Sequence, residues 1–205
     1  RDWPTMALSM IGRQRMANVR RLAEISILEN VPGDFIETGV WRGGACIMMR
    51  AVIEAYDEAT RRVWVADSFA GLPPPDVEKY PMDRGLNLNT YVELSVPLAE
   101  VQDNFRRFKF LDDRVVFLKG WFKDTLPTAP IEALAVLRLD GDLYESTMDV
   151  LRALYPKVSK NGFVIVDDYH CFDACKQAVA DYCRDEKISP LIEEIDGMGV
   201  YWRKA

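Results

Sequence analysis

Two pairs of aspartates follow apolar runs of the sequence. Asp140 and Asp142 come after ALAVLRL, and Asp167 and Asp168 come after GFVIV. If both runs are neighbouring parallel strands, their carboxyl ends lie at one edge of a sheet, where open α/β sheets bind ligands. Four carboxylates gathered there would repel one another unless a cation joined them, and oxygen ligands favour Mg²⁺. The alternative is that Asp142 and Asp168 are helix N-caps, but capping accounts for only one acid of each pair.

A glycine-rich turn, ETGVWRGG at 37–44, follows the first apolar run. Glycines at a strand-to-helix turn let a ligand approach the backbone. The spacing is not G-x-G-x-x-G, because Trp41 stands where the second glycine belongs, and Glu37 would repel a pyrophosphate. Asp67 ends the second apolar run and can accept hydrogen bonds from ribose hydroxyls. These features fit S-adenosylmethionine, a nucleoside with a positive, phosphate-free tail; the alternative is a turn needed only for packing.

Apolar runs alternate with amphipathic stretches along the chain. This alternation is typical of a parallel sheet with helices on both faces. The last two runs, LIEEID and VYWRKA, surround a Gly-Met-Gly turn and predict an antiparallel terminal hairpin. Strands are predicted at 34–40, 62–69, 114–122, 133–142 and 162–169, and helices at 43–58, 97–108, about 146–155 and about 172–186.

Residues 71–96 interrupt this alternation. They include four prolines, and neither a strand nor a helix period persists through them. A long irregular loop in a compact domain is usually functional or mobile, and this one follows the second strand at the predicted ligand edge. We therefore expect a mobile lid; the alternative is a disordered surface insert.

The composition limits the classes of function. A length of 205 residues, with 49% hydrophobic and 28% charged residues, suits one globular domain. The formal net charge of −6 argues against a nucleic-acid surface, and no apolar run is long enough to span a membrane. The cysteines lack the spacing of a disulfide framework, and no secretory signal is visible, so we expect a cytoplasmic protein with reduced thiols. The first residue, Arg1, leaves open whether a leader was removed.

Four motifs together carry a family resemblance. In chain order they are FIETGVWRGGA, DSFAGLP, LRLDGDLYEST and GFVIVDDYH. They resemble the macrocin O-methyltransferase family, whose members are Mg²⁺-dependent, S-adenosylmethionine-using sugar O-methyltransferases of antibiotic biosynthesis, and they are similar to the novobiocin-type noviose 4-O-methyltransferases. The resemblance implies a class I methyltransferase fold, Rossmann-like, with strand order 3-2-1-4-5-7-6. It also implies amino-terminal lid helices at about 1–30, with a cofactor contact from WPTM at 3–6.

The resemblance also implies the roles of individual residues. It implies metal ligation by Asp140, Asp167 and Asp168, with Asp142 as the general base. Some relatives have a histidine three residues after the first metal aspartate; this chain has Leu143 there, which favours Asp142 as the base. The implied cofactor contacts are Met6, Glu37, Thr38, Gly39, Val40, Trp41, Arg42, Gly43, Asp67, Ser68, Phe69, Gly71, Gly120, Trp121 and Asp140.

The predicted reaction is methylation of a sugar hydroxyl on a glycosylated natural product. Mg²⁺ would lower the pKa of the hydroxyl, Asp142 would take its proton, and the oxygen would attack the sulfonium methyl group. Three alternatives remain open: a catechol-type methyltransferase, a metal-dependent hydrolase that activates water, and a silent nucleoside-binding module. The acceptor is not identified by the sequence, and a homo-oligomer is compatible with it.

The histidine, the cysteines and a basic run are further candidates for function. His170, the single histidine, is a candidate second base or metal-shell residue, with a structural role as the alternative. Cys171, Cys175 and Cys183 near His170 could suggest zinc, but Cys171 and Cys175 share helical spacing with Val179 and Tyr182, which favours a buried helix face. The basic run Arg13, Arg15, Arg20 and Arg21 is interpreted as a solvated helix face, with a contact to an acidic substrate or a neighbouring subunit as the alternative.

Overall fold

A seven-stranded sheet forms the centre of the computed structural model, which describes residues 5–205. The strands are β1 (Asp34–Thr38), β2 (Val63–Asp67), β3 (Val115–Lys119), β4 (Leu134–Leu139), β5 (Val158–Val166), β6 (Glu193–Glu194) and β7 (Val200–Arg203). Their order is β3-β2-β1-β4-β5-β7-β6. The first five strands pair in parallel, and β7 pairs antiparallel with β5 and β6. The predicted fold class, strand order and terminal hairpin are therefore confirmed.

Helices cover both faces of the sheet. They are α1 (Gly12–Leu28), α2 (Gly44–Ala55), α3 (Leu98–Arg107), α4 (Phe122–Thr125), α5 (Tyr144–Leu154) and α6 (Asp173–Asp185). Successive strand residues point to opposite faces, so Phe35 packs in the core under α1, α2 and α3, while Ile36 packs in the core under α5 and α6. This two-sided burial explains why the strands read as continuous apolar runs.

The register of the central strands fixes which residues meet at their carboxyl ends. Thr38 pairs with Leu139, and Leu139 pairs with Val166. The next residue along each strand is therefore aligned as well, which places Gly39, Asp140 and Asp167 side by side. The hydrogen bonds continue one step further, because Asp140 N donates to Thr38 O and Asp167 N donates to Leu139 O, both at 2.9 Å.

Element boundaries differ from the predicted ones mainly where the chain turns. β4 ends at Leu139, although the sequence predicted a strand to 142, because the backbone turns after Asp140 and Asp142 has a left-handed φ of 59°. β1 stops at Thr38, since Gly39 has a φ of 85°. β5 begins at Val158, four residues earlier than predicted. The residues beyond the strand ends are thus free to form the turns of a ligand site.

The segment 71–96, which we call the insert, has local structure. It contains three short 3-10 turns, Pro81–Asp83, Leu88–Thr90 and Val92–Leu94, and it buries Asp83, Leu88 and Val96. These buried side chains fasten the insert to the rest of the fold, and its role as a mobile lid stays a prediction. Within residues 5–205, no helix has the length and apolarity needed to span a bilayer.

Candidate active site

Three aspartates come together at the carboxyl edge of the sheet. Asp140, Asp167 and Asp168 each offer a carboxylate oxygen, and these oxygens lie within 4.8 Å of one another. Asp167 and Asp168 are buried, with 3% and 6% of their surfaces exposed, and Asp140 is half-buried. Burial raises the pKa of Asp168 well above its usual value, and Asp142, Asp140 and Asp167 raise it further. The four acids predicted to gather at this edge therefore do so.

A buried arginine that the sequence reading did not single out lies beneath these acids. Arg138, on β4, has no exposed surface, and its guanidinium contacts the carboxylates of Glu37, Asp140 and Asp167, with 2.8 Å to Asp140 Oδ2. Burial raises the pKa of Glu37 to about 7 even though Arg138 opposes the shift. Burial likewise raises the pKa of Asp167 to about 6 against the effect of Arg138. The single positive charge of Arg138 therefore does not offset the cost of burying the carboxylates around it.

A second arginine reaches the same acids from α1. Arg15 is 9% exposed, so interpreting it as part of a solvated helix face was wrong, although Arg13, Arg20 and Arg21 are exposed as expected. Its guanidinium contacts Asp167 Oδ2 and donates to Asp196 Oδ2 at 3.0 Å. It thereby ties α1 to the acid edge and to the turn between β6 and β7.

The oxygens that remain available fit a divalent cation. Asp168 Oδ2 is buried, and within residues 5–205 it has no hydrogen-bond partner, which is costly for a carboxylate unless a cation neutralises it. Asp167 is different, because its two oxygens already accept from Arg15 and Arg138. A metal at this edge would therefore rest mainly on Asp140 and Asp168, and it would share Asp167 with the guanidinium groups. Hard oxygen ligands of this kind suit Mg²⁺.

The turn after β1 lies directly against the acid edge. A Cβ on Gly39 would lie 1.8 Å from the carbonyl oxygen of Asp140, so only glycine fits. Trp41, a bulky side chain, has a left-handed φ of 48°, a conformation that is usually strained and concentrates at functional sites. Val40 N donates to Asp67 Oδ2 at 2.8 Å, which joins this turn to the end of β2. The two predicted cofactor turns therefore form one surface.

Asp67 is fixed by backbone groups. Its Oδ1 accepts from Phe69 N at 2.7 Å, and its backbone oxygen accepts from Gly120 N at 2.9 Å. Burial raises the pKa of Asp67, while the hydrogen bonds from Phe69 and Val40 oppose that rise. Asp67 is thus held in one orientation between the turns that follow β1 and β3.

Two cavities open along this edge. The larger, about 320 Å³, is lined by the predicted cofactor residues Gly39, Trp41, Asp67, Ser68, Gly71, Gly120, Trp121 and Asp140, together with Asp142 and parts of the insert and α5. The smaller, about 200 Å³, is lined by Glu37, Val40, Arg15, Asp167, Asp168 and Cys171, among others. Both cavities share Trp41, Asp140 and Asp142. A molecule in the larger cavity would therefore lie beside a cation held at the acids.

Comparison with known proteins assigns this arrangement to a family. Residues 1–204 match the macrocin O-methyltransferase (TylF) family. The chain belongs to that family. It is 54% identical over 207 residues to the mycinamicin III 3''-O-methyltransferase of Micromonospora griseorubida, covering 100% of this chain and 81% of that one.

A second relative and a solved structure agree with this assignment. The 8-demethyl-8-(2,3-dimethoxy-alpha-L-rhamnosyl)-tetracenomycin-C 4'-O-methyltransferase of Streptomyces olivaceus is 53% identical over 204 residues, covering 99% of this chain and 78% of the relative. The solved structure of the O-methyltransferase NovP has a TM-score of 0.97 at 54% sequence identity, covering 100% of this chain and 85% of that chain. The resemblance stated from four motifs is thus confirmed over the whole chain.

Five predicted cofactor residues of this methyltransferase family member do not line either cavity formed by residues 5–205. Thr38 Oγ1 donates to Arg138 O at 3.3 Å, and Arg42 donates to the backbone oxygens of Thr5 and Ala7. Both residues therefore hydrogen-bond the protein backbone in this structure. The remaining three are Gly43, which is the N-cap residue of α2, Phe69, which is buried, and Met6, which is 87% exposed. Trp3 and Pro4, of the predicted contact segment WPTM, lie outside the described residues.

The predicted second base contacts the terminal hairpin. His170 Nε2 is 2.7 Å from Glu194 Oε1 on β6, and His170 does not line either cavity of the described chain. Its visible contacts fit the structural alternative, while its catalytic role stays a prediction. Cys175, Val179 and Tyr182 form the expected buried face of α6, but Cys171 precedes that helix and lines the smaller cavity. Placing Cys171 on the helix face was therefore wrong.

Proposed function

We propose that this family member transfers a methyl group from S-adenosylmethionine to a sugar hydroxyl of a glycosylated natural product, with Mg²⁺ at the acid edge. The observation that carries the proposal is the pair of cavities that share Asp140 and Asp142, because it sets a nucleoside-sized space beside a cation-sized gap among carboxylates. The relatives' names support the acceptor class, since they denote O-methyltransferases acting on mycinamicin III and on a rhamnosyl tetracenomycin.

The cofactor is assigned to the larger cavity. S-adenosylmethionine supplies an electrophilic methyl group on a sulfonium cation. Asp67 lines this cavity, and each carboxylate oxygen can accept a ribose hydroxyl besides its backbone N–H. Gly39 lets the cofactor approach the backbone, because a side chain there would clash. Gly120 and Trp121 line the same cavity beyond β3 and suit the adenine. The excess negative charge of this edge favours a cationic ligand over an anionic one.

The cation is assigned to Asp140 and Asp168, with Asp167 shared with Arg15 and Arg138. When bound there, Mg²⁺ would supply a positive charge that lowers the pKa of an acceptor hydroxyl. The chain itself contributes two further effects. Arg138 and Arg15 hold Asp167 and Asp140 in place before any cation arrives. Burial of Asp167 and Asp168 limits competition from water, so charges at this edge interact strongly.

Asp142 is assigned as the proton acceptor. It lines both cavities, so it can reach a hydroxyl that lies between a cofactor and a cation. The turn Asp140–Leu143 holds it in place, and proximity of the held reactants supplies much of the rate acceleration. The proton would end on the Asp142 carboxylate. The acceptor oxygen would form a bond to the methyl carbon as its bond to sulfur breaks, with S-adenosylhomocysteine as the leaving group and no covalent link to the enzyme.

A methyl-transfer screen tests the proposal. The protein is incubated with S-adenosylmethionine, Mg²⁺ and a panel of glycosides that includes mycinamicin III, and the products are read by mass. A gain of one methyl group on the sugar is expected, together with loss of activity in EDTA and recovery with added Mg²⁺. A simple catechol in the same panel tests the catechol-type alternative. Full activity in EDTA would overturn the metal assignment while leaving methyl transfer intact.

Two variants separate the base from the metal ligand. Asp142→Asn keeps the shape of the side chain but removes its basicity, so turnover should fall by about a hundredfold or more. Mg²⁺ affinity measured by calorimetry should stay nearly unchanged in this variant. Asp168→Asn should instead weaken Mg²⁺ binding and be partly rescued by excess Mg²⁺. An Asp142→Asn enzyme with full turnover would place the base elsewhere, and His170 would be tested next.

A further inference from the structure

The insert is fastened to the acid edge by one buried carboxylate. Asp83 lies in the middle of the insert and has no exposed surface, although its neighbour Met82 is 42% exposed. Its Oδ1 accepts from Tyr144 N at 2.6 Å, and its Oδ2 accepts from Glu145 N at 3.1 Å. Both donors belong to the first turn of α5, which starts directly after the turn that carries Asp142.

This contact supplies a cap that α5 lacks locally. The N-cap residue of α5 is Leu143, whose side chain cannot accept a hydrogen bond, and no side chain caps the helix from that position. The first backbone N–H groups of a helix need acceptors, and a carboxylate there also interacts favourably with the helix dipole. Asp83 meets both needs from about sixty residues away in the sequence. Asp83 therefore fills the capping role that a local acid would otherwise take.

The insert is attached at a second place. Trp41, in the turn after β1, donates from its indole Nε1 to the backbone oxygen of Glu93 at 2.8 Å. Near the first attachment, the rings of Tyr80 and Tyr144 lie with centroids 5.8 Å apart. The insert also contributes lining residues to the larger cavity, among them Asp76 and Leu94. The insert thus connects the turn assigned to the cofactor with the turn assigned to the base.

We propose that Asp83 is a positioning residue for methyl transfer. By capping α5 from the insert, it fixes the Asp140–Leu143 turn and so the direction of the Asp142 carboxylate, and it holds the insert along the larger cavity. This role rests on the proposed function to the extent that Asp142 is the base. The capping itself is independent of that assignment, so the two can be tested separately.

The test compares Asp83→Ala with a matched control, Asp34→Ala. Asp34 also accepts two hydrogen bonds through its carboxylate, from Arg62 N at 2.9 Å and from Trp64 Nε1 at 2.8 Å. It is the first residue of β1, so it lies at the amino ends of the parallel strands, away from the acid edge at their carboxyl ends. Hydrogen exchange of the segment 140–150 is measured by mass spectrometry in both variants. Exchange there should rise by about tenfold or more in Asp83→Ala, because the cap is lost, and it should stay near wild type in Asp34→Ala.

Kinetics supply the second measurement, with the glycoside that turns over fastest in the screen. In Asp83→Ala, kcat should fall by about tenfold or more, because a small displacement of a catalytic group is costly. KM for S-adenosylmethionine should change less than kcat. Asp83→Asn, which keeps one acceptor oxygen, should recover part of kcat, and it replaces Asp83→Ala if that variant does not fold.

Three results would overturn the proposal. One is unchanged exchange of 140–150 in Asp83→Ala, or in Asp83→Asn where that variant takes its place. Another is an equal loss of kcat in Asp34→Ala, which would mean general destabilisation. The third is a kcat within twofold of wild type in Asp83→Ala. If no glycoside is methylated, the proposed function fails, but the exchange measurement still decides whether Asp83 holds the turn.

Discussion

Two clusters of the molecule combine arginines with acidic side chains, but the pKa values of their acids shift in opposite directions. The edge cluster is Arg138 with Glu37, Asp140 and Asp167, in which Glu37 and Asp167 have side chains at most 5% exposed. The outer cluster, distant from the acid edge, consists of Arg50 and Arg114 with Glu54 and Asp112, whose acid side chains are 56% and 35% exposed.

The acids of the two clusters shift in opposite directions. In the outer cluster, hydrogen bonds from Arg50 lower the pKa of Glu54, and the pKa of Asp112 is lowered even though burial opposes this. In the edge cluster, burial raises the pKa of Glu37 to about 7 and that of Asp167 to about 6. Balanced ion pairs whose acids remain exposed therefore stabilise the fold, whereas the edge keeps an excess of buried negative charge that a cation would relieve. Such an imbalance is typical of a functional site.

The largest difference should appear when the arginines are removed. Arg138→Met leaves three carboxylates without their shared partner in a buried place, so the unfolding free energy at pH 7 should fall by roughly 3–5 kcal/mol. Arg50→Met leaves acids that water can reach, and the loss should be about 1 kcal/mol. Denaturant unfolding of both variants in EDTA measures the contrast. Equal losses would mean that the edge cluster is an ordinary structural ion network.

The pH dependence of stability should have opposite signs in the two clusters. The pKa of Glu37 is raised from 4.5 to about 7, so between these values the folded state holds a proton that the unfolded state has lost. The stabilisation that protonated Glu37 gives the folded state is therefore present at low pH. As the pH rises from 4.5 to 7, the unfolding free energy falls by about 1 kcal/mol for each pH unit. The pKa of Glu54 is lowered, so its ionised carboxylate stabilises the folded state above its unfolded pKa. That stabilisation is lost as the carboxylate is protonated in acid.

Unfolding titrations of the metal-free protein at pH 5, 6 and 7 test this sign. Glu37→Gln should flatten the fall in stability across this range, because the titrating carboxyl is removed. Glu54→Gln serves as the control and should leave the slope unchanged. A wild-type protein whose stability rises from pH 5 to 7 would contradict the prediction for Glu37.

The smallest effect separates stability from metal binding. Asp168→Asn removes charge from a carboxylate whose Oδ2 has no hydrogen-bond partner within residues 5–205. In metal-free buffer at pH 8, the unfolding free energy should therefore rise by about 1 kcal/mol. Asp112→Asn should lower it, because that acid is well paired. Thermal melts with and without Mg²⁺ provide the measurement, and a stabilisation by Mg²⁺ that persists in Asp168→Asn would argue against Asp168 as a ligand.

The sequence predicted the architecture because strand residues and strand ends are local signals. The apolar runs gave the sheet, and acids placed directly after two runs were enough to predict that Asp140, Asp167 and Asp168 meet. Parallel register then aligns whatever follows each strand, as the pairing of Leu139 with Val166 demonstrates. The predicted boundaries were less accurate, since the turns begin two or three residues earlier than the predicted strand ends.

Residues that act over long sequence separations were missed. Arg138 interrupts an apolar strand, which is an unusual place for a charge and was the signal available in the sequence. Arg15 looked like its exposed neighbours, because helix periodicity cannot tell which side faces a distant acid. Asp83 gave no signal, since a cap normally precedes its own helix, and here it comes from another part of the chain.

The left-handed backbone at Asp142 has a consequence for how variants would be selected. Its φ of 59° suits glycine better than any side chain, so Asp142→Gly would relieve local strain and stabilise the chain by up to about 1 kcal/mol. A library enriched only for protease resistance would tolerate or favour that change. A library enriched for product formation should reject it, because Asp142 is the proposed proton acceptor. Under that proposed role, the aspartate costs stability that a glycine would recover.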